Sequence, residues 1–374
     1  MTMRDTPPFR ADHVGSLLRP ADLLEAREDR AAGRISADEL RATEDDAIRD
    51  VVRMQRDVGL RSATDGEFRR TSWHMDFIYQ LGGVSQATDD RIKVEFRNPD
   101  GTIEFTTAAL RVDGPVRLPR TIFGEHFEFL RSVVSPGVTP KLTIPSPSMV
   151  HYRGGSASIY PAVYPDEEQF WADLSAAYAE QVRGVAGLGC TYLQLDDTSL
   201  AYLNDPAQRA QLADRGDDAE HQHLRYIRQI NAALAGRPSG LTVTTHMCRG
   251  NFRSSWAAEG GYDFVAEALF SSLEVDGFFL EYDDARSGDF APLRFVPPGR
   301  LVVLGLVTTK RPDLESKDTL KRRIDEASRY VPLEQLCLSP QCGFSSTVEG
   351  NALTRDEQIA KLALIVETAA EVWG

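Results

Sequence analysis

Short runs rich in β-branched and apolar residues recur along this chain, separated by longer stretches with helical periodicity, and that alternation restricts the fold more than any other feature of the 374-residue sequence. Eight runs qualify as strands: 11–16, 62–67, 140–145, 191–197, 241–248, 277–282, 301–307 and 335–342. Strand and helix signals in alternation give parallel strands joined by crossover helices, and eight is the number at which such a sheet closes on itself. The intervening helices carry capping signatures: Ser36 followed by Glu39, and Asp166 opening a segment that Gly187 and Gly189 close. The expectation is an α/β fold, a (β/α)8 TIM barrel.

One stretch departs from the pattern. KVEFRNPDGTIEFTTAALRV, within 90–120, alternates apolar and polar residues around an NPDG turn, which predicts a β-hairpin inserted after strand two and covering the barrel mouth. The insertion spans about 73–135, and with no Pro/Ser-rich linker, repeat or low-complexity tract the chain 1–374 reads as a single catalytic domain. A net charge of −14 offers no basic footprint for a phosphate backbone, so no nucleic-acid partner is expected. No signal-peptide core and no apolar run of about 20 residues is visible, so the protein is expected in the cytoplasm and off the membrane. Cys190, Cys248, Cys337 and Cys342 are too few and too scattered for a disulfide framework, which turns attention to metal or catalysis.

THMC at 245–248 is the strongest chemical signal. Residues two apart on a strand share a face, so His246 and Cys248 project together into the barrel at its C-terminal rim. Alone, such a pair is more often a packed histidine beside a small buried cysteine than a metal site. Glu281 at the end of GFFLEY and Cys342 in LSPQCG change the balance, because all four then converge on the face where barrel enzymes place their sites. Two thiolates, an imidazole and a carboxylate suit Zn2+ better than Mg2+ or Ca2+. Cys190 and Cys337 lack such placement and read as core thiols. Glu67 in DGE and Asp196 in QLDD also end predicted strands, where a carboxylate serves equally to cap the next helix or to bind a cation; Asp197 is at most a supporting residue. Trp73, in the loop after strand two, either lines a substrate pocket or packs a lid.

With HVGS at 13–16, TDGEF at 64–68, QLDD at 194–197, THMC at 245–248, Glu281 and QCGF at 341–344, the chain resembles the catalytic C-terminal half of cobalamin-independent methionine synthases over nearly its whole length. The resemblance implies a (β/α)8 barrel with zinc held by His246, Cys248, Glu281 and Cys342. It implies further that Glu67 and Asp196 take the amino group of homocysteine, while Ser16 and the backbone near Val14 hold its carboxylate. The implied activity is a zinc-dependent S-methyltransferase in methionine biosynthesis. The chemistry agrees, because binding to Zn2+ converts a thiol, mostly protonated at neutral pH, into the attacking thiolate.

Departures from the family concern the methyl donor. Where the family pattern leads to a histidine that protonates the folate leaving group, GLVTTKRP places Lys310. The tryptophan expected after strand three is not evident in PSPSMVHYRGG, where Tyr152 is the nearest substitute. Lacking both a stacking platform and a positioned acid, the chain is expected to use methyltetrahydrofolate poorly, and a methylcorrinoid protein or another small methylated compound better. Two alternatives stay open: a zinc-dependent alkyl transferase of the epoxide:coenzyme M transferase type, and a metal-free lyase resembling uroporphyrinogen decarboxylase. The first shares His246, Cys248 and Cys342; the second has no use for them.

Overall fold

The computed structural model describes residues 4–99, 101–152 and 154–374. Among the described residues, nine strands form two sheets. β1 (Ser62–Ala63), β4 (Thr139–Pro145), β5 (Tyr192–Asp197), β6 (Thr242–Met247), β7 (Gly277–Glu281), β8 (Leu301–Val307) and β9 (Leu336–Pro340) pair in that order, all parallel, into a curled seven-stranded sheet. β2 (Gly82–Asn98) and β3 (Gly101–Arg117) form a separate antiparallel ribbon. The ribbon lies where alternation predicted a hairpin but is longer than the span 90–120, and Asp100 of its NPDG turn lies outside the described residues. The predicted helices stand: the Ser36/Glu39 capping box opens Ala37–Asp57, and Asp166 caps Glu167–Gly187.

Both edges of the seven-stranded sheet meet the segment 10–17. On the β9 side Asp12 N–H donates to Leu338 O (3.0 Å) and Leu338 N–H to Arg10 O (2.8 Å); on the β1 side Leu17 N–H donates to Gly66 O (3.1 Å). The run 11–16 therefore contributes a bridge at Ala11 rather than the full strand expected. Side chains replace the missing ladder: Thr64 Oγ1 donates to Gly15 O (2.6 Å), and Lys141 Nζ to His13 O (2.5 Å) beside Asp12 Oδ1 at 3.5 Å. Lys141 also sits over the rings of Phe279 (4.1 Å) and Tyr192 (4.8 Å), so its buried charge is shared between a carboxylate and two π faces. The run 62–67 is likewise cut to two residues, because Gly66 and Glu67 take left-handed φ values of 67° and 62° and turn the chain out of the ladder.

Val14, Phe279, Val303 and Cys337 pack inside the curl, while the larger apolar core fills the space between sheet and helices. Cys190 and Cys337 are both core thiols, as their placement suggested; burial pushes each up to about 12. Among the described residues no helix is long and apolar enough to cross a membrane.

Candidate metal centre and substrate cavity

Strand register brings the metal-type ligands together. Asp196 on β5 pairs with His246 on β6, and the β6–β7 register, ending at Met247 opposite Leu280, runs on to set Cys248 beside Glu281. Cys342 arrives two residues past β9. One ligand atom from each of His246, Cys248, Glu281 and Cys342 lies within 4.8 Å of the others, and all four side chains are buried. Both His246 ring nitrogens and Glu281 Oε2 are buried without a hydrogen-bond partner. Orphaned polar atoms are costly unless something else satisfies them, and a soft-donor set of this spacing fits a zinc-type cation.

Charge within the set is already polarised. Hydrogen bonding from Cys248, 3.4 Å away, holds the Cys342 thiol well below the usual thiol range against the opposing effect of burial, with His246 and Lys310 adding to it; the same contact pushes Cys248 well up. Burial pulls the His246 imidazole down, but the contact with Cys342 and the charges of Asp196 and Glu281 leave it raised. Glu281 is pushed up by burial and restrained by Lys310; its Oε1 accepts from Arg249 N–H at 3.2 Å.

A cavity of about 320 Å3 opens over these ligands. His246, Cys248 and Cys342 border it together with Val14, Ser16, Glu67 and Asp196. Glu67 Oε1 accepts from Thr143 Oγ1 (2.8 Å) and lies 3.4 Å from Arg70 Nη1, while Oε2 has no partner; burial raises its carboxyl and Arg70 works against that. Burial pushes Asp196 up to about 7, its Oδ1 accepting from Gln194 Nε2 (2.7 Å), which also donates to Val14 O (2.7 Å). A non-glycine residue at left-handed φ, as at Glu67, is backbone strain of the kind found at functional sites. Ser16 Oγ accepts from Ser345 N–H (3.4 Å), and Gly343 leaves the room it needs, since a Cβ there would collide with it. Asp197 turns away and is fully used, by Ser146, Ser148, Ser199 and Leu200 N–H.

Two expected site residues are placed elsewhere. Tyr152 borders a neighbouring cleft with Gln208 and Arg215, its hydroxyl donating to Gln208 Oε1 at 3.1 Å, with Tyr202 packed edge-on between the two cavities. The short helix Ser148–Tyr152 carries it off the mouth. Lys310 is not on the cavity wall; its ammonium is buried without a hydrogen-bond partner near Glu281, Asp283 and Cys342, behind the ligand set. Trp73, by contrast, borders the cavity. Sequence reasoning missed the rest of the apolar wall, Phe96 and Phe105 from the β2–β3 ribbon packed on Phe252 at 5.2 and 4.9 Å between centroids. It also missed Arg249, buried beside Cys248 and donating to Tyr262 Oη (3.0 Å) and Glu281 O (3.1 Å).

The profile of the family described as cobalamin-independent synthase, catalytic domain, matches residues 153–371. Over 372 residues the chain is 46% identical to the uncharacterised protein YxjG of Bacillus subtilis (strain 168), covering 99% of this chain and 96% of that one. It is similar in structure to a Listeria monocytogenes protein provisionally described as a vitamin-B12 independent methionine synthase, with a TM-score of 0.78 and 38% identity over 98% of each chain. At 24% identity over 374 residues, covering 99% of this chain and 96% of that one, it is also similar to the methionine synthase of Pyrococcus abyssi.

Proposed function

The chain belongs to the cobalamin-independent methionine synthase family and is a methyltransferase of that type, and from that premise we propose that it transfers a methyl group to homocysteine at a zinc centre, making methionine. We read the closed ring of β1, β4–β9 and segment 10–17 as a (β/α)8 barrel with the β2–β3 ribbon inserted beside its mouth. The observation that carries the reading is that one cavity brings three of the four metal-type ligands to the same wall as two buried carboxylates and Ser16.

His246, Cys248, Glu281 and Cys342 would hold the metal. Zinc, when bound, keeps a substrate thiol ionised at neutral pH. Glu67 and Asp196 present two carboxylates to the ammonium group of an amino-acid thiol, the free Glu67 Oε2 being one acceptor in want of a donor. Ser16 and the backbone at Val14 face the same space and take the carboxylate. Lys310 sits behind the ligands, where its charge offsets part of theirs. Phe96, Phe105 and Phe252 exclude water from the opposite wall and leave a dry, apolar face for the donor.

The amino-acid carboxylate pair separates this reading from transfer to coenzyme M, whose thiol carries no amino group. The test is methionine formation from homocysteine by zinc-replete protein, with methyltetrahydrofolate and methylcobalamin as alternative donors. Turnover with either donor, abolished in Cys342→Ser, supports the reading; binding of homocysteine without turnover on any donor would refute it.

A further inference from the structure

If Glu67 receives the ammonium group, as the proposed function has it, it must be ionised in a place where burial raises its carboxyl. Behind it lie Arg70 and Thr143, both buried and neither on the cavity wall. Arg70 Nη1 is 3.1 Å from Thr143 Oγ1 and Nη2 is 2.8 Å from Thr143 O, so both arms of the guanidinium fall on one residue. A guanidinium donates and never accepts. The Thr143 hydroxyl oxygen is therefore the acceptor in that contact, and its single proton is left for Glu67 Oε1, 2.8 Å away. Arg70 Nη1 adds its charge at 3.4 Å from the same oxygen, while Oε2 has no partner. Gly15 makes the room, since a Cβ there would lie 2.7 Å from Thr143 Cγ2 and 3.6 Å from Glu67 Oε1. The second carboxylate is treated alike: Thr143 pairs with Gln194 in the β4–β5 register, and Gln194 Nε2 donates to Asp196 Oδ1 at 2.7 Å. Paired positions on two neighbouring strands thus each give one hydrogen bond to one of the two carboxylates.

We propose that Thr143 is a positioning residue for substrate binding: its hydroxyl, turned by Arg70, donates to Glu67 Oε1, favours the ionised carboxylate and leaves Oε2 free for the ammonium group of the amino-acid thiol. Thr143 touches no substrate and acts only through Glu67. A hydrogen bond donated to a charged oxygen in a dry setting is among the stronger ones, so one hydroxyl is enough to offset part of the burial cost. It also fixes the carboxylate's rotation, because a proton on Glu67 could then sit only on Oε2, where it would turn the acceptor into a donor and repel an ammonium group.

The test is methionine binding to the zinc-replete full chain, measured by calorimetry from pH 6 to pH 9. Wild type is compared with Thr143→Val, which loses the hydroxyl and keeps the shape, and with Thr143→Ser, which keeps the hydroxyl; Thr143→Ala serves in place of Val if Val does not fold. The charges facing Glu67 are Arg70 and Asp65 on its own turn, Arg19 ahead of that turn and Asp196 on β5, and all are retained in these variants. At pH 7 Thr143→Val is expected to raise the dissociation constant roughly 10- to 150-fold, the loss of one hydrogen bond to a charged group, with zinc retained and Thr143→Ser close to wild type. Without the hydroxyl the Glu67 carboxyl is pushed up further and ionises only at higher pH, so the ratio of the Val to the wild-type dissociation constant should shrink several-fold from pH 7 to pH 9. In a Glu67→Gln chain the same substitution should cost less than about threefold, because the two residues act as one unit. A loss that is constant over pH, a loss undiminished in the Glu67→Gln chain, a Ser variant as weak as Val, or no loss in Val would each overturn the role of Thr143 and leave the amino-group site standing. Wild type that binds no methionine would overturn the amino-acid thiol reading itself, and this role with it.

Discussion

Cys248 Sγ and Cys342 Sγ stand 3.4 Å apart although 94 residues separate them, while Cys190 and Cys337 are buried in the core away from both. Two thiols held this close, with an imidazole and a carboxylate at their side, pair electrostatic cost with a clear remedy in a bound cation. Purified protein is therefore expected to carry about one zinc per chain, and His246→Ala or Cys342→Ser to lose it while staying folded. After chelation under native conditions, a thiol reagent should titrate Cys342 first and then Cys248, the two thiols on the cavity wall, while Cys190 and Cys337, packed in the core, should react only on unfolding. Full zinc retention in both variants, by atomic absorption, would remove the metal assignment.

Glu67 approaches the cavity from the turn after β1 and Asp196 from β5, and each enters it with a charge that burial disfavours. An ammonium group placed between them would relieve that cost. Glu67→Gln and Asp196→Asn are each expected to weaken methionine binding by about 10- to 150-fold, the equivalent of one charged hydrogen bond at roughly 1.5–3 kcal/mol, with zinc content retained. Calorimetry reads both quantities; unchanged affinity in both variants would show that the amino group sits elsewhere.

The same site makes binding pH-dependent. Burial raises Asp196 to about 7, so at lower pH it is protonated and neutral and offers no charge to an ammonium group. As pH rises through that value the carboxylate forms and affinity should increase, so the dissociation constant of methionine should fall about tenfold between pH 6 and pH 8. Methionine is the right probe because its thioether does not titrate. Asp196→Asn should flatten this dependence, and a dissociation constant that rises over the interval would contradict it.

What the sequence carried and what it withheld divide along physical lines. His246, Cys248 and Glu281 were legible because strand periodicity and parallel register fix which side chains share a face, and nothing between them depends on loops. The same reasoning overextended the first two strands, since a turn through left-handed Gly66 and Glu67 obeys loop energetics rather than alternation. Tyr152 was misplaced for a related reason: a five-residue helix after β4 rotates it into the next cleft. The aromatic wall of Phe96, Phe105 and Phe252 was invisible, because it exists only once the ribbon folds back, with Arg97 N–H donating to Trp256 O at 2.7 Å.

Arg19 ties the site's loops together without touching the cavity. Its Nη1 donates to Ser345 Oγ (2.7 Å), Ser345 O (3.1 Å) and Thr347 O (3.1 Å), and its Nη2 to Glu67 O (3.0 Å) and Arg70 O (2.9 Å). Burial lowers the guanidinium to about 10, yet it stays charged at neutral pH because these five acceptors and the Glu67 carboxylate surround it. One side chain thus fixes both the strained backbone of Glu67 and the loop whose Ser345 N–H donates to Ser16. Lysine keeps the charge but has three donors on a single nitrogen and lacks the planar fork that spans two loops. Arg19→Lys is therefore expected to raise the dissociation constant of methionine about tenfold or more, through lost hydrogen bonds worth roughly 1.5–3 kcal/mol each. Of the four proposed metal ligands, His246, Cys248 and Glu281 lie on or beside β6 and β7, and Cys342 lies directly after β9, ahead of the residues Arg19 holds, so zinc should still bind. Arg19→Met should do the same and also lower Tm, since it leaves five carbonyl and hydroxyl oxygens without their donor. Loss of zinc in step with methionine affinity would mean that Arg19 supports the curled sheet as a whole, and normal methionine binding in Arg19→Met would mean that the two loops hold their positions without it.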